Sequence, residues 1–328
     1  MIPNTLELIV YLLTSIKGMT LYYYYAKKKE IVDVPNERSS HQHLPVRGMG
    51  IALIALFIAF YFFHTHQYFL TLGLILASIT GYLDDLKNLR RRIRLPLYLA
   101  SLLLALVDIQ LLLKIEWYWL AVSMVVALGV INTYNFMDGI NGITGFYSIV
   151  FFGTIAYMNS KYQITEDMGS LSMAMLIFFL VFGWFNYQKQ AKAFLGDSGS
   201  VAIGLLAVYL LVKVGIYLKE WKIIIFLSVY GVDSVATIVL RLLRKENIFK
   251  AHRSHLYQNL VNEKKWSHMQ VAGIYAFCQL IINALAIHWL EGGFIPSINL
   301  FYIILILGFI YLGTKYWMKE LHFKSNAK

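Results

Sequence analysis

Apolar stretches of about twenty residues recur from one end of this 328-residue chain to the other, and that recurrence limits the fold more than any other feature. A helix crossing a bilayer needs about 20 mostly apolar residues. Reading runs and breaks gives eleven such segments: about 5–26, 48–63, 67–83, 95–113, 117–134, 142–158, 171–187, 199–218, 223–243, 269–290 and 298–317. Charged residues make up only 14% of the chain and apolar ones 59%, against roughly 25% charged in a soluble domain. Such a chain cannot cover a water-facing surface, and it is too apolar to be disordered. The expectation is an all-α, polytopic membrane protein forming one domain over 1–328. The start lacks a basic segment and a cleavage site, so the first apolar stretch is expected to stay. The lone cysteine, Cys278, excludes an intramolecular disulfide and a cysteine metal cluster.

Loop charge sets the orientation. Loops 27–47, 84–94, 135–141, 188–198 and 244–268 with the tail 318–328 hold 21 Lys and Arg, and the alternate set holds 4. The positive-inside rule puts the first set in the cytoplasm, the N-terminus outside and the C-terminus inside. The net charge of +11 thus reads as membrane topology rather than as a nucleic-acid surface.

Five of the eight aspartates, Asp33, Asp84, Asp85, Asp138 and Asp197, fall on the cytoplasmic loops or at cytoplasmic span ends. Carboxylates are costly near hydrocarbon, so these are candidates for function. Asp84 and Asp85 adjoin the inward end of the third segment, where the helix dipole disfavours negative charge. They suit a divalent cation or a base that activates a phosphate, or they are simply neutralised by Arg90, Arg91, Arg92 and Arg94. Asn135, Asp138 and Asn141 recur every three residues in a glycine-rich link between two apolar spans, either as a polar site or as a capped turn. Asp197 lies in Ala-Phe-Leu-Gly-Asp-Ser-Gly-Ser at the start of the eighth segment. It reads as a helix cap or as a metal ligand beside backbone N–H groups that suit phosphate. His252, Arg253 and His255 crowd the largest cytoplasmic loop and can bind phosphate. That loop has room for a short amphipathic helix. Arg38, His41, His43 and Arg47 make a basic rim ending in Gly48 and Gly50. Cation-holding and phosphate-holding groups on one membrane face imply metal-dependent phosphoryl transfer between a water-soluble diphosphate and a lipid phosphate.

The segments Leu-Asp-Asp-Leu (83–86), Asn-Phe-Met-Asp-Gly (135–139), Phe-Leu-Gly-Asp-Ser-Gly-Ser (194–200) and His-Arg-Ser-His-Leu-Tyr-Gln (252–258) resemble, in order, those of the polyprenyl-phosphate N-acetylhexosamine-1-phosphate transferases. The resemblance runs from about residue 30 to 260. It implies a bacterial inner-membrane enzyme, with its active site facing the cytoplasm, that moves an N-acetylated sugar-1-phosphate from a UDP-sugar to undecaprenyl phosphate. UMP leaves, and Mg²⁺ or Mn²⁺ is the cofactor. Asp197 matches the principal metal ligand, with Asp84 and Asp85 as the pair that helps hold the metal or deprotonates the lipid phosphate. Asp138 matches a residue assigned to metal, nucleophile activation or nucleotide contact, and His252, Arg253 and His255 match the diphosphate clamp. Asn135, Asn141, Arg38 and Arg47 are expected on the substrate side, and a homodimer is admitted as a partner state. In-line attack, needing mainly positioning and charge neutralisation, is favoured over a covalent intermediate.

The family often reads Asp-Gly-Ile-Asp-Gly where this chain has Asp138-Gly139-Ile140-Asn141-Gly142, and Arg-Gly-Gly-Gly where it has Arg47-Gly48-Met49-Gly50. His-Arg-Ser-His in place of a histidine run points to the O-antigen or capsule branch. A secondary transporter or channel, built around Asp233, Lys17, Lys213 and Asp108, is the rival reading. Asp233 is alternatively expected to support the site from beneath.

Overall fold

The computed structural model describes residues 3–35, 40, 43–109, 116–248 and 252–325. Its helices are α1 (Thr5–Lys28), α2 (Leu53–Phe63), α3 (Tyr68–Lys87), α4 (Arg91–Val107), α5 (Trp117–Met137), α6 (Ile143–Tyr162), α7 (Glu166–Asn186), α8 (Asp197–Leu218), α9 (Ser228–Leu243), α10 (Leu256–Asn262), α11 (His268–Glu291) and α12 (Ser297–Ser325). A tight helical turn, Met49–Ala52, leads into α2, and another, Trp221–Leu227, leads into α9. Each of the eleven apolar segments therefore contains a helix, residues 110–113 of the fourth lying outside the described residues, and α10 is the short helix of the 244–268 loop. Among the described residues, seven helical stretches are long and apolar enough to cross a membrane: α3, α5, α7, α8, Trp221–Leu243, α11 and Ser297–Met318. Among the described residues the extended backbone is limited to isolated bridges, Val32 with Val46 and Val46 with Ala193.

The bundle is organised around α8. Of its apolar stretch 72% is buried, against 6% for α12. Small residues explain this, because they let helix backbones approach closely. A Cβ at Gly204 would lie 2.8 Å from the Ile131 Cα of α5. One at Gly81 of α3 would collide with the Asp197 carbonyl. Helices α3 and α5 pack directly on α8, with α4 behind α3. Helix α7 joins α1 to α6, α11 packs on α6, and α12 lies against α9.

Polar groups collect at both ends. At the end away from Asp84, Glu7 accepts from Tyr11 (2.7 Å), hydrogen-bonds His64 (2.9 Å) and accepts from Ser170. Asp167 accepts from Gln67 at 2.9 Å and pairs with Lys213, while Asp108 accepts the Leu70 N–H at 2.6 Å. Of the groups raised by the transporter reading, Lys213 and Asp108 are thus bonded locally at that end.

Candidate active site

Asp84 and Asp85 lie within the last turn of α3 and not beyond it, because the helix runs on to Lys87. Both are buried. Asp85 reaches across to the start of α8: its carboxylate accepts the N–H groups of Asp197 (3.1 Å) and Ser198 (3.2 Å) and the Arg47 Nε (3.0 Å). A carboxylate there suits the positive end of the α8 dipole. Gly196 is the cap residue at φ +75°, and a Cβ on it would strike the Asp85 carboxylate. This arrangement corrects two expectations. Asp197 is the first helical residue and not the cap, and the first N–H groups of α8 are already bonded within the protein. The next two, of Gly199 (3.1 Å) and Ser200 (3.0 Å), return to the Gly196 carbonyl.

With its cap supplied by Asp85, the Asp197 carboxylate is free for other work. Asn135 Nδ2 donates to it at 2.7 Å and to Ser200 Oγ at 3.1 Å. Asp84 lies within hydrogen-bond reach of the Asp197 carboxylate. Its other partners are the Leu89 N–H (2.7 Å) and the Arg94 guanidinium. Arg94 is a site residue that sequence reasoning treated only as loop charge.

The 43–50 segment lies along the same loop. Val46 N–H donates to the Lys192 carbonyl (2.9 Å), and the N–H groups of Phe194 (2.8 Å), Met49 (3.0 Å) and Gly50 (2.8 Å) complete the pairing. A Cβ at Gly50 would run into the backbone of Gly199, and Gly48 sits at φ +78°. The two positions that need glycine keep it, and Met49, the residue departing from the family pattern, is buried in the core. Arg47 bridges Asp85 and Asp33 (3.7 Å). Burial opposes its charge, but the Asp85, Asp33 and Asp197 carboxylates hold its pKa above the usual value.

Asp138 caps the end of α5. It accepts from Thr144 Oγ1 at 2.6 Å and from the Gly196 N–H. Burial pushes its carboxyl up to about 7, with the Asp85 charge adding to the effect and those two donors opposing it. Asn141 does a different job. Its amide donates to the carbonyls of Gln188 (2.8 Å) and Lys189 (3.4 Å), fixing the loop after α7. A carboxylate cannot donate in this way, which gives a physical reason for asparagine here.

The 252–258 segment is anchored from below. Asp233 of α9 accepts the N–H groups of Leu256 (3.0 Å) and Tyr257 (3.4 Å), and hydrogen-bonds His255 Nδ1 (3.2 Å) and the Tyr275 hydroxyl (2.6 Å). Tyr257 donates to the Phe136 carbonyl at 2.8 Å, joining this segment to the 135–139 motif. His255 is buried, and Arg253 is exposed. Burial pushes the His252 pKa down to about 4, with the His255 and Arg241 charges adding to it. His252 is therefore neutral near pH 7, with Nδ1 facing the Ser254 hydroxyl at 2.9 Å.

These bonds bring Arg47, Asp84, Asp85, Asn135, Asp138, Asp197, His252, Arg253 and His255 to one end of the bundle. Arg38 and His41 lie outside the described residues. Among the described residues no three His, Cys, Asp or Glu side chains form a ready metal cage. Asp84 and Asp197 together still offer hard oxygen donors, and Mg²⁺ commonly binds through one or two carboxylates plus substrate phosphates.

A bundle of apolar helices, with facing carboxylates and the exposed Arg253 at one end, defines a polytopic membrane protein. The family model Glycosyl transferase family 4 matches residues 67–215. The "probable undecaprenyl-phosphate N-acetylglucosaminyl 1-phosphate transferase" of Bacillus subtilis (strain 168) is 27% identical over 302 residues, covering 84% of this chain and 82% of that protein. The undecaprenyl-phosphate alpha-N-acetylglucosaminyl 1-phosphate transferase of Escherichia coli (strain K12) is 25% identical, covering 87% and 84%. A phospho-N-acetylmuramoyl-pentapeptide-transferase of Thermotoga maritima is 26% identical, covering 66% and 75%. Over most of its length the chain is thus similar to polyprenyl-phosphate N-acetylhexosamine-1-phosphate transferases.

Proposed function

We propose that this protein transfers an N-acetylhexosamine-1-phosphate from a UDP-sugar to undecaprenyl phosphate, releasing UMP and starting a cell-surface polysaccharide of the O-antigen or capsule kind. The observation that carries this reading is the meeting of Asp84 and Asp197 at the junction of α3 and α8, with the other polar segments bonded around it. The relatives' names supply the substrate class. In this reading the chain is one domain that crosses the bacterial inner membrane eleven times, with the N-terminus outside and this end of the bundle facing the cytoplasm.

Two carboxylates side by side repel, and a divalent cation removes that repulsion. Asp84 and Asp197 would hold Mg²⁺ or Mn²⁺, which supplies charge neutralisation for a diphosphate when bound. Asn135 orients the Asp197 carboxylate, and Arg94 orients that of Asp84. Asp85 and Arg47 fix the α8 start on which Asp197 stands, so their role is positional. Arg253 and neutral His252 donate to the diphosphate of the sugar nucleotide. Asp138 accepts the proton of the lipid phosphate, leaving an oxygen to attack the β-phosphorus as the UMP bond breaks.

The purified chain with undecaprenyl phosphate, Mg²⁺ and a panel of UDP-N-acetyl sugars is expected to release UMP, and chelator to stop it. No release with any donor would defeat the reading. The pH dependence is a second check. Asp138, with a pKa of about 7, holds a proton below that pH and cannot take another. kcat/KM is thus expected to fall about tenfold per unit below it. The lipid phosphate loses its own proton above pH ~6 and then has none for Asp138 to take, which adds a limb of the opposite sense. Asp138→Asn should lose the limb near pH 7, and a variant profile superimposable on the wild type would remove Asp138 as the base.

A further inference from the structure

Helix α12 turns most of its surface outward, yet it carries a buried lysine. Among its described side chains Tyr311, Lys315 and Met318 are the deeply buried ones, spaced four and three apart on one face toward α9 and α10. Burying an ammonium costs several kcal/mol unless it is well paired, so an otherwise lipid-facing helix has a reason to hold this one. The Lys315 Nζ donates to the Ser254 carbonyl. With the Asn259 amide oriented to satisfy its neighbours, Lys315 also donates to Asn259 Oδ1 at 2.9 Å. The Asn259 nitrogen then donates to the carbonyls of Arg253 and His255, each at 3.2 Å. Three consecutive carbonyls, at 253, 254 and 255, are thereby held by one lysine–asparagine pair. Below them Tyr311 hydrogen-bonds Thr237 at 2.7 Å, fixing α12 against α9.

We propose that Lys315 is a positioning residue for the transfer: with Asn259 it locks the backbone of residues 253–255, so that Arg253 and His252 present their donors to the sugar-nucleotide diphosphate. This rests on the transferase reading above. Lysine suits the task because its three donors can serve a carbonyl and an amide oxygen at once from a single flexible stem. The backbone carbonyls are fixed whatever the nucleotide does, so the side chains above them are held ready before it binds. Pre-ordering of this kind lowers the entropic cost of binding. The effect should fall on the sugar nucleotide and not on the lipid phosphate.

The test uses Lys315→Met, which keeps the length and removes charge and donors, with Lys315→Arg and Asn259→Ala beside it, all in the full chain. In Lys315→Met and Asn259→Ala, the KM for UDP-N-acetylglucosamine, or whichever panel donor is used, is expected to rise about tenfold. The KM for undecaprenyl phosphate and the kcat should stay within about twofold, and Lys315→Arg should recover most of the loss. Hydrogen exchange of the 252–262 amides, measured without substrate, should quicken in Lys315→Met while the α8 amides stay protected. A wild-type KM or unchanged 252–262 exchange in Lys315→Met would overturn the proposal, as would an equal rise in both KM values. Absence of UMP release by the wild type would instead defeat the transferase reading, with the exchange experiment still deciding whether Lys315 orders the loop.

Discussion

Asp197→Asn is expected to lower turnover at least ~10²-fold, the scale of losing one charge-stabilising group, and Asp84→Asn to do the same. What separates this from general damage is the expected stability of the two variants. Asp197 bears no cap duty, since Gly196 is the cap and Asp85 takes the first N–H groups of α8. Its carboxylate faces that of Asp84, and without a bound cation the two repel. Neutralising Asp197 relieves that repulsion, so thermal unfolding of Asp197→Asn in detergent without divalent metal should show an unchanged or higher Tm, whereas Asp84→Asn also weakens its bonds to the Leu89 N–H and Arg94 and should gain nothing. Functional sites commonly carry such a stability cost. Asp85→Asn should behave differently. One of its carboxylate oxygens would become an NH₂ facing N–H donors or Arg47, so both Tm and turnover should fall. Wild-type turnover in Asp197→Asn or Asp84→Asn would refute the assignment of the pair. A lower Tm in Asp197→Asn would mean that its carboxylate is structural after all.

Much of the fold was legible because bilayer length and apolar patterning speak directly to helices. Each expected segment became one, and the differences lie at the ends. The seventh segment, read from 171, begins at Glu166, where Asp167 finds Lys213. Charge at a helix end looks like loop until its partner is known. The fourth, read from 95, begins at Arg91, because basic residues at the aqueous end of a helix carry no apolar signal. Asp84 and Asp85 were read beyond α3 for the same reason.

The site was legible as residues but not as jobs. Adjacent Asp84 and Asp85 looked equivalent, yet neighbours on a helix point about 100° apart. One therefore faces Asp197 and Arg94, while the other caps α8. The pairing of Val46 with Ala193 is set by chain segments about 150 residues apart, which no local pattern records. Lys315 was equally hidden, sitting within the last apolar segment, 298–317, where local pattern gave it no task.

Asp233 is the intermediate case, since its depth in an apolar span marked it and the structure supplies its duty. It accepts from two backbone N–H groups at the α10 start, from the Tyr275 hydroxyl and from Thr237 at 3.2 Å, and it bonds His255. Asp233→Ala would strand these donors in a buried void, a loss of about 3–5 kcal/mol for removing one partner of a buried charged network. The expected result is a lower Tm together with at least a ~10-fold loss of sugar-nucleotide affinity, because the 252–258 segment loses its floor. Asp233→Asn keeps the volume but turns one acceptor into a donor facing other donors, so it should fall between the wild type and Asp233→Ala. Both variants should bind undecaprenyl phosphate as before, since Asp84 and Asp197 stand on α3 and α8. Equal losses for lipid and nucleotide would show that Asp233 holds up the bundle as a whole. Preserved nucleotide affinity in Asp233→Ala would show that the 252–258 segment is held from above, by Lys315 and Asn259, and needs no floor.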